Sequence, residues 1–343
     1  MFLHALATAV PPSVYSQPEC WGLAERSDVR SRLKKRSMMI LHNILLGDHG
    51  IAKRHFAMPD IDRVFDRTPD ELNRGFRGEA PRLAGRALTA ALGQAGVRPD
   101  ELDALLICTC TGYLCPGLTS YVAEDLGLRP NAILHDLVGL GCGAAIPTLR
   151  AASHLLAARP GATVACVAVE ICSAAFYLDD DPGVLISACL FSDGAAATLW
   201  RSTPGPSGAR AFDFDSLHLP AERDKLRFEQ RGGKLRNLLD RSVPELAADA
   251  VGRLWAGRGP RPVSRVVAHP GGRDVLEAIA PVVAPHALDA SARTLRDYGN
   301  MSSPSVIFAL EQALGESAPG PGGDFWLVSF GAGFSAHSCR LGF

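Results

Sequence analysis

The stretch His135-Asp-Leu-Val-Gly-Leu-Gly-Cys-Gly-Ala-Ala145 places one cysteine, Cys142, between two glycines. An apolar run over 133–140 precedes it, and apolar residues at helical spacing follow it to Leu156. The pattern predicts a strand, a tight turn and a largely buried helix, with Cys142 in the first helical turn. The amide donors and helix dipole there favour a thiolate. The alternative is a buried, inert core cysteine, which the short motif alone favours.

Length and composition are those of a globular protein with no bulk nucleic-acid partner. The chain has 343 residues, 47% of them hydrophobic and 21% charged, and a formal net charge of −1. This length suits two ordinary domains or one large duplicated domain. No run of about 18 uncharged apolar residues occurs, so no membrane span is expected. The apolar start, 1–10, lacks a basic leader and is predicted to be a first strand rather than a signal peptide.

The cysteines indicate reduced thiols in a cytoplasmic protein. There are nine of them, an odd number, and several lie in apolar, strand-like runs such as 163–171. Cys108, Cys110 and Cys115 are close in sequence, but no second Cys or His pair follows at zinc spacing. No metal site is therefore predicted.

Periodicity and turn signals divide the chain into alternating strands and helices. Strands are predicted at 1–12, 102–110, 163–171, 212–219, 263–269, 325–330 and 334–341. Helices are predicted at 20–33, 80–95, 120–126, 242–257, 274–283 and 302–314, with Thr68 and Ser242 as caps. An apolar strand pair that bends at Phe191-Ser-Asp-Gly194 is predicted within 185–200, and a polar loop at 222–234. The Pro- and Gly-rich segment 201–211 is the best linker candidate. We therefore expect an N-terminal half, 1–205, and a C-terminal half, 206–343.

The two halves resemble each other in the spacing of their elements. A buried strand ends at Cys110 in the first half and at His269 in the second. In each half a turn that opens an apolar helix comes next, at Cys142 and at Asn300. Each half ends with a strand, a glycine-containing bend and a strand. A duplicated α/β unit would bring Cys142, His269 and Asn300 together near a central pseudo-two-fold axis.

Cysteine, histidine and asparagine together suit thioester chemistry. A histidine can accept the proton of a thiol or stabilise its thiolate. If an acyl group is held on sulfur, a second thioester can lose CO2 and attack it, and charge then builds on a carbonyl oxygen. The imidazole N–H and the Asn amide can both donate to that oxygen. Taken singly, His269 could cap a turn before Pro270, and Asn300 could be a helix N-cap or a left-handed turn residue. Their joint placement favours function.

Three motifs resemble the signatures of type III polyketide synthases, the chalcone synthase-like enzymes. They are Gly141-Cys-Gly-Ala144, His269-Pro-Gly-Gly272 and Gly299-Asn-Met-Ser-Ser303. The resemblance covers nearly the whole chain. It implies a thiolase-like, duplicated αβαβα five-layer fold, a homodimer, and no cofactor, metal or carrier protein. It also implies that Cys142 takes an acyl group from a CoA starter and extends it with malonyl-CoA before cyclisation, while His269 and Asn300 bind the thioester carbonyl and promote decarboxylation.

The same resemblance assigns further substrate-binding positions and shows where this chain departs from the plant enzymes. Phe191 matches a gatekeeping Phe between the CoA tunnel and the cavity. The remaining substrate-binding assignments are Thr111, Cys115, Cys172, Ser302 and Gly331, and Lys53 and Arg54 are candidates for CoA binding. Cys115 falls where plant enzymes have a Met that reaches into the partner's cavity, and Cys172 and Ala175 fall where Thr is common. The second gatekeeping Phe, expected near 237–239, is missing, and Phe-Gly-Pro-Gly is replaced by Phe330-Gly-Ala-Gly333.

Two other functions fit parts of this pattern. A single-condensation ketoacyl synthase III-like enzyme or CoA-dependent acyltransferase would also use Cys, His and Asn. The residues that follow His269 and Asn300 favour the polyketide type instead. A non-catalytic scaffold of the same fold is disfavoured because the triad is intact.

Overall fold

The computed structural model describes residues 1–26, 28–63, 65–316 and 323–343. Strands and helices alternate along most of the chain. The strands are β1 (Phe2–Ala9), β2 (Val14–Ser16), β3 (Lys53–His55), β4 (Ala104–Thr109), β5 (Ile133–Val138), β6 (Val164–Glu170), β7 (Gly194–Arg201), β8 (Arg210–His218), β9 (Leu226–Arg231), β10 (Lys234–Leu239), β11 (Val263–Ala268), β12 (Asp324–Gly331) and β13 (Ser335–Gly342). The helices are α1 (Gln17–Arg26), α2 (Val29–Arg32), α3 (Lys35–Leu46), α4 (Pro69–Ala95), α5 (Leu118–Leu126), α6 (Ala145–Ala158), α7 (Pro182–Leu190), α8 (Val243–Gly257), α9 (Arg273–Ile279), α10 (Asp289–Tyr298) and α11 (Ser305–Glu316).

Strand order repeats on the two sides of one central join. Nine strands form a sheet in the order β11-β12-β13-β8-β1-β7-β6-β4-β5. A single pair, Phe2 with Arg210, joins β1 to β8. On one side of that join the strands follow in the order β1, β7, β6 and β4, and on the other side in the order β8, β13, β12 and β11. On both sides the first two pairings are antiparallel and the third is parallel. This repeat is the duplicated α/β unit that the spacing predicted. The predicted boundary at 205/206 falls in the connection between β7 and β8 and stays a prediction.

Successive side chains of a strand point to opposite faces of the sheet, which explains how helices and sheet form layers. In β4, Leu106 and Cys108 face the core around α6 and α11, whereas Leu105 and Ile107 face α4. In β11 and β12, Val267 and Leu327 face the same core around α6 and α11, whereas alternate residues face α8 and α9. Helices α6 and α11 are thus covered by sheet on both sides, and each sheet half carries outer helices. The order helix, sheet, helix, sheet, helix is the expected thiolase-like arrangement.

Helix α4 begins earlier than the apolar pattern indicated. Its predicted cap, Thr68, forms a full capping box with Glu71, and the helix runs without a break from Pro69 to Ala95. Gly96 ends it in the left-handed conformation, with φ of 62°. No helix in the described ranges is long and apolar enough to cross a bilayer.

The predicted strand pair within 185–200 is wrong in its first half. Residues 182–190 form helix α7, because Pro182 suits the first helical turn and the Asp181 carboxylate accepts hydrogen bonds from the amides of Gly183 and Val184. A continuous apolar run fits either a buried strand or a buried helix, so the cap decides.

The predicted loop at 222–234 is also wrong. It contains a 3-10 turn, Pro220–Lys225, and strand β9, which forms a hairpin with β10. Gly232 and Gly233 both have positive φ, at 57° and 75°. This conformation suits a two-residue hairpin turn, so the Gly-Gly pair was the signal for the hairpin.

Strand β5 forms an open edge of the nine-stranded sheet. His135 was expected to be packed, but it is exposed, as are Leu134 at 38% and Val138 at 52%.

Candidate active site

Cys142 lies in a single 3-10 turn, Gly141–Gly143, between β5 and α6. The bend between β12 and β13 packs directly against this turn. A Cβ atom on Gly331 would lie 2.5 Å from the Gly143 amide nitrogen and 2.8 Å from that of Cys142. Only glycine fits at that position, so Gly331 acts by allowing the two halves of the chain to meet at the cysteine.

Asn300 follows α10 in a segment tied to both neighbouring loops. Its backbone amide donates to the Leu190 carbonyl, and its own carbonyl accepts from Ser192. The side-chain Nδ2 donates to the Gly271 carbonyl at 3.0 Å, and Oδ1 accepts from the Ser302 amide at 2.8 Å. An amide nitrogen has two hydrogens, so one remains for a ligand. Helix α11 begins only at Ser305, so Asn300 is not its N-cap.

His269 comes directly after β11, whose register with β12 fixes its position. Its amide donates to the Val328 carbonyl at 2.8 Å. The ring meets Phe330 edge to face, with centroids 5.2 Å apart. Nδ1 is buried and has no hydrogen-bond partner among the described residues.

The three predicted catalytic residues line one cavity. Cys142, His269 and Asn300 lie on the wall of a space of about 400 Å³, together with Phe191. Phe191 also lines a smaller chamber of about 40 Å³ that shares Cys142 with the first space. The predicted cavity residues Thr111, Cys172, Ala175 and Ser302 line this second space. Phe191 therefore lies where a gate between two compartments would lie.

Burial disfavours charge on both the thiol and the imidazole when each is considered alone. It raises the pKa of Cys142 to about 12, against a smaller opposing effect of the hydrogen bond from Ser302. It lowers the pKa of His269 to about 3. The sequence predicted that Cys142 favours a thiolate, whereas desolvation dominates the pKa of this thiol and favours its neutral form. For Cys142 to react as a thiolate at neutral pH, its proton must move to a base, and we expect His269, which lines the same cavity, to accept it so that each charge stabilises the other.

A buried glutamate that the sequence analysis did not single out organises this site. Glu170 Oε2 accepts from the Cys110 amide and from the amide and hydroxyl of Thr111, and Oε1 accepts from the Ser303 hydroxyl at 2.6 Å. Its carboxylate therefore joins the ends of β4 and β6 to the segment that carries Asn300. A charged residue at the end of an otherwise apolar run, 163–169, was the available signal.

Ser302 connects two cysteines. Its hydroxyl donates to Cys142 Sγ at 3.2 Å and lies 3.2 Å from Cys110 Sγ. Ser302 has φ of 62°, a conformation that few non-glycine residues adopt. This places the hydroxyl between the two thiols. Cys110 lines the small chamber, but the sequence indicated it only as the end of a buried strand and as part of a possible metal knuckle.

Four predicted binding residues line neither of these two spaces, and one of them, Gly331, packs against the turn at Cys142 instead. Cys115 is exposed and lines neither of these spaces. Lys53 is exposed on β3 and Arg54 is buried, and neither lines the cavity that contains the triad. The Arg54 guanidinium donates to Gln17 and to the carbonyls of Ala188 and Phe191. Its burial is incompatible with the predicted CoA contact, and its hydrogen bonds give it a role in positioning the end of α7 and Phe191.

Among the described residues no group of His, Cys, Asp and Glu side chains is arranged to hold a metal ion.

Replacement of His269 by Gln tests the proton transfer. Without the imidazole, the Cys142 thiol keeps its raised pKa of about 12, so it is protonated below that pH and gains thiolate as pH rises. We expect its alkylation rate with iodoacetamide to rise roughly tenfold per pH unit from pH ~7 upward in the variant. The wild-type rate should reach a plateau at lower pH. Peptide mass spectrometry measures the rate at Cys142 itself.

His286 provides the matched control, because it is a partly buried histidine that lies outside the cavity. The His286→Gln variant should keep the wild-type profile. Equal pH profiles for wild type and His269→Gln would contradict a role of His269 in activating the thiol.

Comparisons with known proteins agree with this geometry. Residues 23–212 match the model of the FAE1/Type III polyketide synthase-like proteins, and residues 256–343 match the C-terminal model of 3-oxoacyl-[acyl-carrier-protein] synthase III. A 3,5-dihydroxyphenylacetyl-CoA synthase from Amycolatopsis balhimycina is 30% identical over 96% of this chain and 89% of its own length. A 1,3,6,8-tetrahydroxynaphthalene synthase from Streptomyces peucetius subsp. caesius is 28% identical over 98% of this chain and 92% of its own length.

Solved structures give the same relationship. The 1,3,6,8-tetrahydroxynaphthalene synthase of Streptomyces coelicolor A3(2), a bacterial type III polyketide synthase, superimposes with a TM-score of 0.89 and 26% identity. That match covers 100% of this chain and 99% of the other. The sequence match over both halves, the shared fold and the meeting of Cys142, His269 and Asn300 in one cavity establish that this chain belongs to the type III polyketide synthases.

Proposed function

We propose that this protein is an iterative, CoA-dependent polyketide synthase in which Cys142 carries the growing chain. The observation that supports this most directly is that Cys142, His269 and Asn300 line one cavity next to Phe191. A nucleophilic thiol, a proton acceptor and an amide donor in one apolar space meet the requirements of thioester exchange and decarboxylation.

Loading begins when the Cys142 thiol gives its proton to His269 and its sulfur attacks the carbonyl carbon of an acyl-CoA thioester. The CoA sulfur leaves and takes the proton, and the acyl group stays on Cys142. The oxyanion formed on the way accepts a hydrogen bond from the free Asn300 amide hydrogen.

Extension uses the same donors for a second thioester. Malonyl-CoA in the cavity loses CO2, and the resulting enolate oxygen is stabilised by the His269 imidazole N–H and by Asn300. The enolate carbon attacks the acyl carbonyl on Cys142, and the bond to sulfur breaks. The β-ketoacyl-CoA product can return to Cys142 for another round. The relatives' names describe polyhydroxylated aromatic products, so we propose that ring closure follows extension here as well.

We propose that CoA enters through the cavity of about 400 Å³. Its inner end holds the buried triad, and its outer part carries Arg241 and Arg273. Arg241 is exposed and has no ion pair or hydrogen bond among the described residues, whereas Arg273 is held by Asp274 and by the Asp48 carbonyl. Free guanidinium groups bind phosphate well. Arg241 thus replaces Arg54 as the candidate for a CoA phosphate.

We propose a homodimer that forms along β5. This edge strand exposes Leu134 and Val138, and Tyr113 nearby in the same region is 74% exposed. Exposed edges with apolar residues are templates for pairing, and a two-fold axis would pair β5 with its own copy. Exposed Cys115 follows Tyr113 in the same loop, so a second copy would lie next to it.

All nine cysteines are free thiols, which supports a cytoplasmic location.

The activity test is incubation with malonyl-CoA and a panel of starter-CoA thioesters, followed by mass spectrometry of protein and products. We expect acyl adducts on Cys142 and products that contain several malonyl-derived units. Cys142→Ala should abolish the adduct and the product, whereas Cys339→Ala, which removes a buried thiol outside the cavities, should preserve both. If acyl adducts persisted in Cys142→Ala, the assignment of Cys142 as the nucleophile would be wrong. A single condensation per turnover would favour a ketoacyl synthase III-like activity.

The Arg241 assignment predicts a change in KM rather than kcat. Arg241→Ala should raise the KM for malonyl-CoA roughly tenfold, because a charge-assisted hydrogen bond to phosphate is lost. The N-acetylcysteamine thioester lacks the CoA phosphates, so its kcat/KM should not change. Arg253→Ala removes an exposed arginine of α8 outside the cavity and serves as the control. Equal effects on both thioesters would exclude a phosphate contact.

The dimer is tested by light scattering after size exclusion. Wild type should have twice the mass of one chain, and the double variant Leu134→Lys/Val138→Lys should have the mass of a monomer, because charges on β5 oppose pairing. Met39→Lys changes a comparably exposed apolar residue on α3 and should remain a dimer. A dimeric double variant would place the interface elsewhere.

A further inference from the structure

A larger cavity adjoins the small chamber and shares no lining residue with the CoA cavity. Its volume is about 790 Å³, which is within the usual range for ligand sites, whereas the chamber of about 40 Å³ is only a neck. The two spaces share the lining residues Cys110, Thr111, Gly141, Arg227, Phe228 and Ala332. An acyl chain on Cys142 that points into the neck is therefore directed towards the larger cavity.

Arg227 is the one charged side chain that lines the neck, among the described residues, and it lines the larger cavity too. Strand β9 carries it, opposite Leu238 of β10. Its Nη1 donates to Glu229 at 3.0 Å, and its Nε lies 3.1 Å from Asp224. Nη2 has no hydrogen-bond partner among the described residues and keeps its hydrogens for a ligand. Glu229 is shared with Arg236, so it does not fully neutralise Arg227.

Lys234 is a second cation on the wall of the larger cavity, at the start of β10. It is half-buried and has neither an ion pair nor a hydrogen bond among the described residues. Burial, together with nearby Arg32, lowers the pKa of its ammonium group, although Asp66 and Glu71 oppose this. An unpaired, partly desolvated cation gains most from an anionic or strongly polar ligand. Asp70, the only carboxylate among the lining residues, is exposed at the first turn of α4.

We propose that Arg227 and Lys234 bind the oxygen-bearing distal end of the acyl chain on Cys142. The proposal rests on the proposed function, since it requires an acyl chain on Cys142. The substrate class is a short acyl group whose far end carries a carboxylate, a ketone or an enolate, rather than a plain hydrocarbon. A hydrocarbon end would cover Lys234 and the unpaired Nη2 of Arg227 and leave both without water or a partner, which is unfavourable.

The test compares loading of Cys142 from isosteric pairs of CoA thioesters. Glutaryl-CoA and 5-methylhexanoyl-CoA form one such pair, because the carboxylate of the first has a shape similar to the isopropyl group of the second. Succinyl-CoA and adipyl-CoA, each with its branched isostere, test acyl chains that are one carbon shorter and one carbon longer. Initial loading rates come from intact-protein mass spectrometry. Wild type should load at least one dicarboxylic chain faster than its isostere. In Arg227→Met and Lys234→Met this rate ratio should fall roughly tenfold, as expected for one lost charge-assisted hydrogen bond.

The controls separate this proposal from its premise. Arg227→Lys and Lys234→Arg keep the charge and should keep most of the preference, and Arg231→Met removes an exposed arginine of the same strand that lines neither space. The neutral isostere, measured in each variant, reports whether the variant is folded and active. Equal wild-type loading of every pair, or an unchanged ratio in both Met variants, would overturn the proposal. Failure of wild type to load Cys142 from any CoA thioester would instead overturn the proposed function.

Discussion

The Glu170 carboxylate is the contact on which the geometry of the site depends. It is completely buried, and it accepts hydrogen bonds from the end of β4 and from Ser303, which are far apart in sequence. Burial raises the pKa of this group, and the hydrogen bonds oppose that shift. If the carboxylate were removed, several buried donors would be left without partners, each at a cost of about 1–3 kcal/mol. Ser303 directly follows Ser302, so its hydrogen bond to Glu170 helps to hold Ser302 beside Cys142.

The duplicated fold explains why three chemically different residues can share one cavity. Equivalent strands of the two halves end on the same side of helices α6 and α11, so the turn at Cys142 meets the 331–333 bend of the other half. Close approach of the backbones at Gly331 makes this contact possible. The same arrangement leaves two spaces that both border Cys142. One space contains His269 and Asn300, and we propose that it binds CoA thioesters. The other borders Arg227 and opens to the larger cavity, and we propose that it holds the growing chain.

Local chemistry allowed much of this to be predicted, and its failures have specific causes. The turn at Cys142, the strand before His269 and the cap at Thr68 follow from residues close in sequence. Helix α7 was mistaken for a strand because its apolar run has no clear period, and β9 was missed because its residues are largely polar. The helix start was expected to favour a thiolate at Cys142, but burial raises the pKa of this thiol to about 12.

The sequence by itself determined the strand, turn and helix signals around Cys142, His269 and Asn300 and the duplicated α/β spacing, because glycines, caps and apolar periods act over a few residues. The family came from a different source, the resemblance of three motifs to those of the type III polyketide synthases. Only the tertiary structure decided that Arg54 is buried behind Phe191, that Glu170 ties β4 to the Asn300 segment, and that Arg227 and Lys234 border one cavity. These properties depend on which distant segments come together. Desolvation and hydrogen bonding of a side chain are set by such neighbours, and local sequence does not encode them.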